Sequence, residues 1–230
     1  MSIFAISDLH LSFNTNKPMN IFGWVDYEEK IRKNWQEKVK EDDVVLLLGD
    51  FSWEMNLENT YKDFEFINSL PGRKLLLKGN HDYWWTTLSK MRIYLTDNKF
   101  YNIDFIYNNS YEDNNKIIAG TRGWTISENQ VEDEKIRKRE ALRLELSIKN
   151  GIEQFGDNKE IIVCMHYPPL NKLNRSTEFT QILEKYNVKK CIYGHLHGKA
   201  QEEMLVGHIN NVEYIMASCD YTGFDVIKIY

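Results

Sequence analysis

Asp8, His10, Asp50, Asn80, His166, His195 and His197 each stand just beyond a short apolar run, in the stretches "SDLH", "GD", "KGNHD", "HYPP" and "GHLH". His81 sits beside Asn80, so five of the six histidines occupy such places and only His208 does not. Taken singly, each stretch reads as a turn, because glycine, asparagine and aspartate favour turns for local reasons. Turn chemistry gives histidine no reason to gather there.

The seven donors are carboxylate and amide oxygens and imidazole nitrogens, with no thiolate among them. Such a set suits Mn²⁺, Fe or Zn²⁺. It is too large for one ion and right for two that share a bridge. Asp50, alone on its loop near the middle of the set, is the candidate bridge. Asn80 is neutral, which limits the negative charge and leaves the cations electrophilic. Two cations ~3.5–4 Å apart form a clamp for in-line displacement at phosphorus. A Ser-His-Asp hydrolase is poorly supported, since there is no G-x-S-x-G elbow and a triad would leave most histidines unexplained. Neither a P-loop nor G-x-G-x-x-G occurs.

Such donors need rigid elements behind them. Apolar runs at 3–6, 44–48, 75–77, 117–120, 161–165, 191–193, 214–217 and 224–230 predict buried strands. Several lack alternation, as strands covered on both faces do. Between them, Tyr27, Ile31, Trp35 and Val39 mark a helix over 26–40, and Leu57, Tyr61, Phe64 and Ile67 one over 57–70. Trp84, Leu88, Met91 and Leu95 mark 83–95, and Phe179, Ile182, Leu183 and Tyr186 mark 176–187. The charged segment 128–149 predicts a long surface helix with a solvated face. Segment 97–116, crowded with Asn and Asp, predicts a hairpin and its turns. Segment 12–25 is a loop whose Phe13, Phe22 and Trp24 either pack as core or wall a cleft. The alternation of strands and helices predicts an α/β fold with parallel strands, more strand-rich in its final third. Ligands of open α/β sheets bind beyond the carboxyl ends of strands, where these donors lie.

The 230 residues, 42% hydrophobic and 27% charged, predict a single domain over 1–230 with a well-buried core. A net charge of −5 without a long basic stripe argues against nucleic acid or a membrane surface as partner. Cys164, Cys191 and Cys219 are widely spaced and lie in or beside apolar runs, which suits a reduced, cytoplasmic setting. "MSIFAISDLH" has no basic leader region, and no apolar run approaches a membrane span.

As a set, "DLH" (8–10), "GD" (49–50), "GNHD" (79–82), "MHYPP" (165–169) and "GHLH" (194–197) resemble the motifs of the calcineurin-like metallophosphoesterase superfamily, in order. The resemblance implies a four-layer α/β/β/α sandwich with two mixed sheets. It also implies a dinuclear-metal-dependent hydrolase of a small phosphate mono- or diester. Asp8, His10, Asp50 and His197 would hold one ion; Asp50, Asn80, His166 and His195 would hold the other. A hydroxide between the ions would attack phosphorus, and His81 would protonate the leaving alkoxide. Gly79 would let the backbone turn tightly here. Asp82 would either orient this loop or cap the helix over 83–95.

Protein Ser/Thr phosphatases of the superfamily continue the GD block with Asp and Arg and use GNHE. Here those two positions are Trp53 and Glu54, and the later motif is GNHD. "GNHD" and "HYPP" resemble instead the bacterial Icc-type phosphohydrolase branch, which includes cyclic-nucleotide phosphodiesterases. Arg122, in "AGTRGW", would contact a substrate phosphate or pair with an acid, and Trp124 would wall the cleft or stack on a base. Asp220, in "ASCDY", has no assigned role. The complete ligand set with His81 argues against a non-catalytic interaction scaffold of this fold, and the acidic balance argues against a nuclease.

Overall fold

The computed structural model describes residues 1–15, 17, 19–126 and 131–230. Along them run β1 (Ile3–Ile6), α1 (Tyr27–Lys38), β2 (Val44–Leu47), α2 (Tyr61–Asn68), β3 (Arg73–Leu77) and α3 (Leu88–Asp97). Then follow β4 (Ile103–Ile106), β5 (Tyr111–Asp113), β6 (Lys116–Thr121), α4 (Val131–Phe155) and β7 (Glu160–Met165). The chain closes with α5 (Glu178–Lys185), β8 (Lys190–Tyr193), β9 (Gly207–Ile209), β10 (Val212–Met216) and β11 (Ile227–Lys228).

Two mixed sheets result. One has the order β11-β1-β2-β3-β4, with β1 to β4 parallel and β11 antiparallel on β1. The other has the order β5-β6-β7-β8-β10-β9, with a parallel centre and antiparallel edges. Side-chain alternation along each strand then builds four layers. Ile3 and Ala5 of β1 face the same apolar cluster as Ile118 of β6 and Ile162 of β7, so the sheets pack face to face. Phe4 and Ile6 point the other way, into a cluster with Tyr27, Ile31 and Trp35 of α1 and Phe64 of α2. Ile117 and Val163 meet Leu144 and Ile148 of α4 and Leu183 of α5 on the far side of the second sheet. Because both faces of the central strands are covered, those runs show no polar alternation.

Several expectations need correction. Segment 97–116 is not one hairpin: Ile103–Ile106 is a parallel partner of β3, and the hairpin is β5–β6, turning at Asn114 and Asn115 with φ of 51° and 62°. The helix expected over 83–95 begins at Leu88 and is capped by Thr87, which accepts the Lys90 N–H, so Asp82 is not its cap. The run 224–230 forms only a two-residue strand. The charged helix spans Val131–Phe155, with Ser127 to Gln130 outside the described residues, and it is no solvated rod. It buries Glu140, Ala141, Leu144 and Ile148 against the second sheet. The three cysteines are free and buried. Among the described residues no helix is long and apolar enough to cross a membrane.

Candidate metal centre

β1, β2 and β3 of one sheet and β7, β8 and β10 of the other end at a common rim. Across it the Ser7 N–H donates to the Ala217 carbonyl at 2.8 Å, and the Cys219 N–H to the Ser7 carbonyl at 3.0 Å. The Asp8 N–H reaches the Gly49 carbonyl at 3.0 Å and the His10 N–H the Asp50 carbonyl at 2.9 Å. The loops that carry the donors are therefore laced to one another through the backbone.

Asp8, His10 and His197 form one group, and Asp50, His166 and His195 a second, with the ligand atoms of each group all within 4.8 Å of one another. Asp50 Oδ2 lies 3.7 Å from His10 Nε2 and 3.6 Å from His166 Nε2, and so faces both groups. Asn80 Oδ1 is 2.7 Å from His166 Nε2, and His195 Nδ1 is 3.2 Å from that same nitrogen. All seven residues expected as ligands are thus brought together.

The polar atoms here fit a cation better than they fit one another. His166 Nδ1 lies 2.9 Å from the Leu48 carbonyl and donates to it, which leaves Nε2 as an acceptor facing the Asn80 oxygen. Two facing acceptors are reconciled by a positive ion between them. Asp8 Oδ1 and His197 Nε2 are both buried without a hydrogen-bond partner, 3.4 Å apart. Burial lowers His10 and His166 to about 3 and His195 to about 4, which keeps these imidazoles neutral, as a ligand must be. Burial, and then the Asp8 carboxylate beside it, pushes Asp50 up to about 9. Two buried carboxylates this close call for a countercharge.

The backbone is bent to this purpose. Asp8, His10, Asp50 and His195 have φ of 63°, 45°, 49° and 73°, in the left-handed region that residues other than glycine seldom occupy. Asp50 is held there by Asp82, fully buried, which accepts backbone N–H groups of Gly79 at 2.7 Å, Asp50 at 3.0 Å, Phe51 at 2.9 Å and Ser52 at 3.3 Å, and the Trp84 indole N–H at 3.0 Å. Of the two roles open to Asp82, orienting the loop is the one observed. The reason for glycine at 79 is close approach, since a Cβ there would overlap the Asp50 carboxylate and backbone nitrogen.

Asp220 was left without a role by its sequence context. It follows β10 and its Oδ1 lies 2.8 Å from His197 Nδ1, while Oδ2 accepts from Gln201 Nε2 at 2.8 Å. The pair fixes the imidazole so that Nε2 points at Asp8. Burial pulls the His197 pKa down, but the hydrogen bond to Asp220 and the nearby Asp8 carboxylate prevail and carry it to about 10.

His81 lies beside the first group without belonging to it. Its backbone N–H donates to Asp50 Oδ1 at 2.8 Å, and its ring Nδ1 is buried with no partner. It walls a cavity of about 400 Å³ together with His10, Phe22, Trp24, Trp53 and His197. The Trp53 ring lies 4.7 Å from both His10 and His81, nearly parallel to the former. Of the loop 12–25, Trp24 and Phe22 therefore line a cleft, whereas Phe13 packs on Phe66. Asn16 and Pro18 of that loop lie outside the described residues. Trp53, noted in the sequence only as a departure from the phosphatase pattern, is a wall of the site. Arg122 pairs with the buried Glu140 at 3.7 Å and its guanidinium sits 4.5 Å from the centre of the Trp124 ring.

Paired mixed sheets with two ligand groups at their shared rim define a metal-dependent phosphoesterase in general terms. The chain belongs to the calcineurin-like phosphoesterase family, whose pattern it matches over residues 1–199. No curated protein gives a match. Among solved structures, a protein of unknown function from Aquifex aeolicus, AQ665, is similar at 20% identity with a TM-score of 0.51, covering 99% of this chain and 95% of that one. The phosphopantetheinyl hydrolase PptH from Mycobacterium tuberculosis is similar at 14% identity and 0.55, covering 99% and 95%. TT1561 of Thermus thermophilus is similar at 14% and 0.61, covering 98% and 96%. At these identities the likeness is one of fold.

Proposed function

We propose that this chain hydrolyses a small phosphate mono- or diester at a pair of metal ions. Asp8, His10 and His197 would hold one ion and Asn80, His166 and His195 the other, with Asp50 shared. Mn²⁺, Fe or Zn²⁺ bound there would supply Lewis acidity at the phosphoryl oxygens and lower the pKa of water in the site. The observation that carries this reading is Asp50 Oδ2 lying between His10 Nε2 and His166 Nε2, at 3.7 and 3.6 Å. Asp220 and Asp82 keep the imidazoles and loops aimed. His81, which stands outside both ligand groups and lines the cavity, would deliver a proton from its ring to the leaving oxygen. The aromatic cavity beside His81 would receive the leaving group, which favours flat or apolar alcohols. The reading treats residues 1–230 as one domain, supported by β10 and β11, which pair within the two sheets beyond the family match.

The test compares hydrolysis of para-nitrophenyl phosphate and bis-para-nitrophenyl phosphate, with Mn²⁺ and with chelator, for the native chain and His81→Ala. Hydrolysis of either ester that needs Mn²⁺ is expected, and the preferred ester separates phosphatase from phosphodiesterase. The His81→Ala chain should retain its metal and lose turnover about 10²–10⁴-fold. Silence on both esters from protein with two ions bound would count against the proposal.

A further inference from the structure

A second cavity, of about 220 Å³, opens at the same end of the sheets, lined by the last residues of β3, β4 and β6: Leu77, Ile106 and Thr121. Four cations line it, Lys78, Arg122, Arg139 and Arg143, against one carboxylate, Glu140. That concentration of positive charge stands out in a chain whose net charge is −5.

Glu140 accounts for part of it. The carboxylate is 1% exposed and meets Arg143 at 2.7 Å, Arg139 at 3.6 Å and Arg122 at 3.7 Å, with the Thr121 hydroxyl donating to it at 2.7 Å. One buried carboxylate explains one buried partner, and four cations less one carboxylate leave three charges over. The Lys78 ammonium has no hydrogen bond or ion pair among the described residues, with Asp82 and Glu140 acting on it only at longer range, and Arg122 Nε is buried without a hydrogen-bond partner. Donors left open around a cavity are what an anion would satisfy.

The cavity is tied to the candidate metal centre through the backbone. Lys78 precedes Asn80 by two residues, so their Cα atoms are at most ~7 Å apart. The Arg122 carbonyl accepts the N–H of His166 at 3.2 Å and that of Tyr167 at 2.9 Å.

We propose that this cavity binds a second phosphate of the substrate, so that the ester cleaved belongs to a molecule carrying two phosphate groups a short linker apart. Guanidinium forks match the oxygens of a phosphate, and a surplus of three positive charges suits a dianion better than a carboxylate. The origin of the anion rests on the proposed phosphoesterase reading; the presence of an anion site does not.

Two measurements separate these. In the first, inorganic phosphate is titrated calorimetrically into the chain held in chelator, where no metal can contribute. Binding is expected, and Lys78→Met or Arg139→Gln, two cations not needed to neutralise Glu140, should weaken it about tenfold. Arg139 is half exposed, so that second variant tests the site without disturbing the core. Absence of binding to the native chain, or equal affinity in correctly folded variants, would overturn the proposal whether or not the chain is a phosphoesterase. In the second, adenosine 3′,5′-bisphosphate and adenosine 5′-monophosphate compete with para-nitrophenyl phosphate on the Mn²⁺-loaded chain. The bisphosphate should inhibit at about tenfold lower concentration, an advantage lost in both variants. Phosphate binding without any bisphosphate advantage would mean a free anion occupies the cavity, and the substrate-borne phosphate would be refuted.

Discussion

Asp82 Oδ2 lies 3.0 Å from the backbone nitrogen of Asp50, thirty-two positions earlier in the chain, and accepts its N–H. The same oxygen accepts the Gly79 N–H at 2.7 Å, so one atom joins the loop after β2 to the loop after β3. Replacing it by an amide nitrogen would turn an acceptor into a donor facing two donors. Asp82→Asn should therefore lower stability by on the order of 2–4 kcal/mol and weaken Mn²⁺ binding. Thermal unfolding with a parallel Mn²⁺ titration checks this; a variant with native melting and native affinity would remove Asp82 as the organiser of the rim.

The position of Asp50 between the two ligand groups makes a prediction about stoichiometry. Asp50→Asn should cost metal at both positions if Asp50 is shared as proposed, because such a ligand would support two ions at once. Metal content after gel filtration, measured against the native chain, gives the answer. Loss of one ion with full retention of the other would show that Asp50 serves a single site.

Asp220 holds His197 and touches no member of the second ligand group. Asp220→Ala should weaken one ion by about 10–100-fold and leave the other nearly as before. Two resolved Mn²⁺ affinities in calorimetry would become more widely separated. If both fell together, the two positions would be more tightly coupled than the geometry implies.

Lys74 is a fully buried lysine inside β3, its ammonium donating to the Leu70 carbonyl. Burial lowers its pKa from the ordinary 10.5 to about 7. Between those values the unfolded chain binds the proton and the folded chain does not, so stability rises with pH across that window. Lys74→Met should stabilise the chain by on the order of 3 kcal/mol at and below pH 7, allowing for the lost hydrogen bond. The gain should shrink as pH approaches about 10, where the native lysine is also neutral. Melting temperatures of both chains followed from about pH 6 to about pH 10 measure it; a pH-independent difference would show that the ammonium is not desolvated.

Much of this was legible in the sequence for one physical reason. A parallel strand covered on both faces is a bare apolar run, and whatever polar residue ends it is conspicuous. Asp8, Asp50, Asn80, His166 and His195 could all be found that way, and the stripe Tyr27, Ile31, Trp35 and Val39 fixed a helix within a residue or two. Asp220 obeys the same rule after β10 and could have been found by applying it once more. β4 stayed hidden because "IDFI" is four residues among asparagines and aspartates, and its partner β3 is remote in the chain. Glu140 looked like one more charge on a charged helix. Only the packing of α4 on β6 shows that it is buried, since which face of a helix turns inward depends on contacts the local pattern does not contain.

Four of the donor positions hold their side chains on a left-handed backbone, at Asp8, His10, Asp50 and His195. Glycine would occupy each of those conformations at lower cost. The comfort of the backbone and the proposed ligand role of the side chain thus pull in opposite directions at these four places. A population of such chains selected only for resistance to heat would be free to drift there, and the sturdier descendants would be the ones that had gone silent.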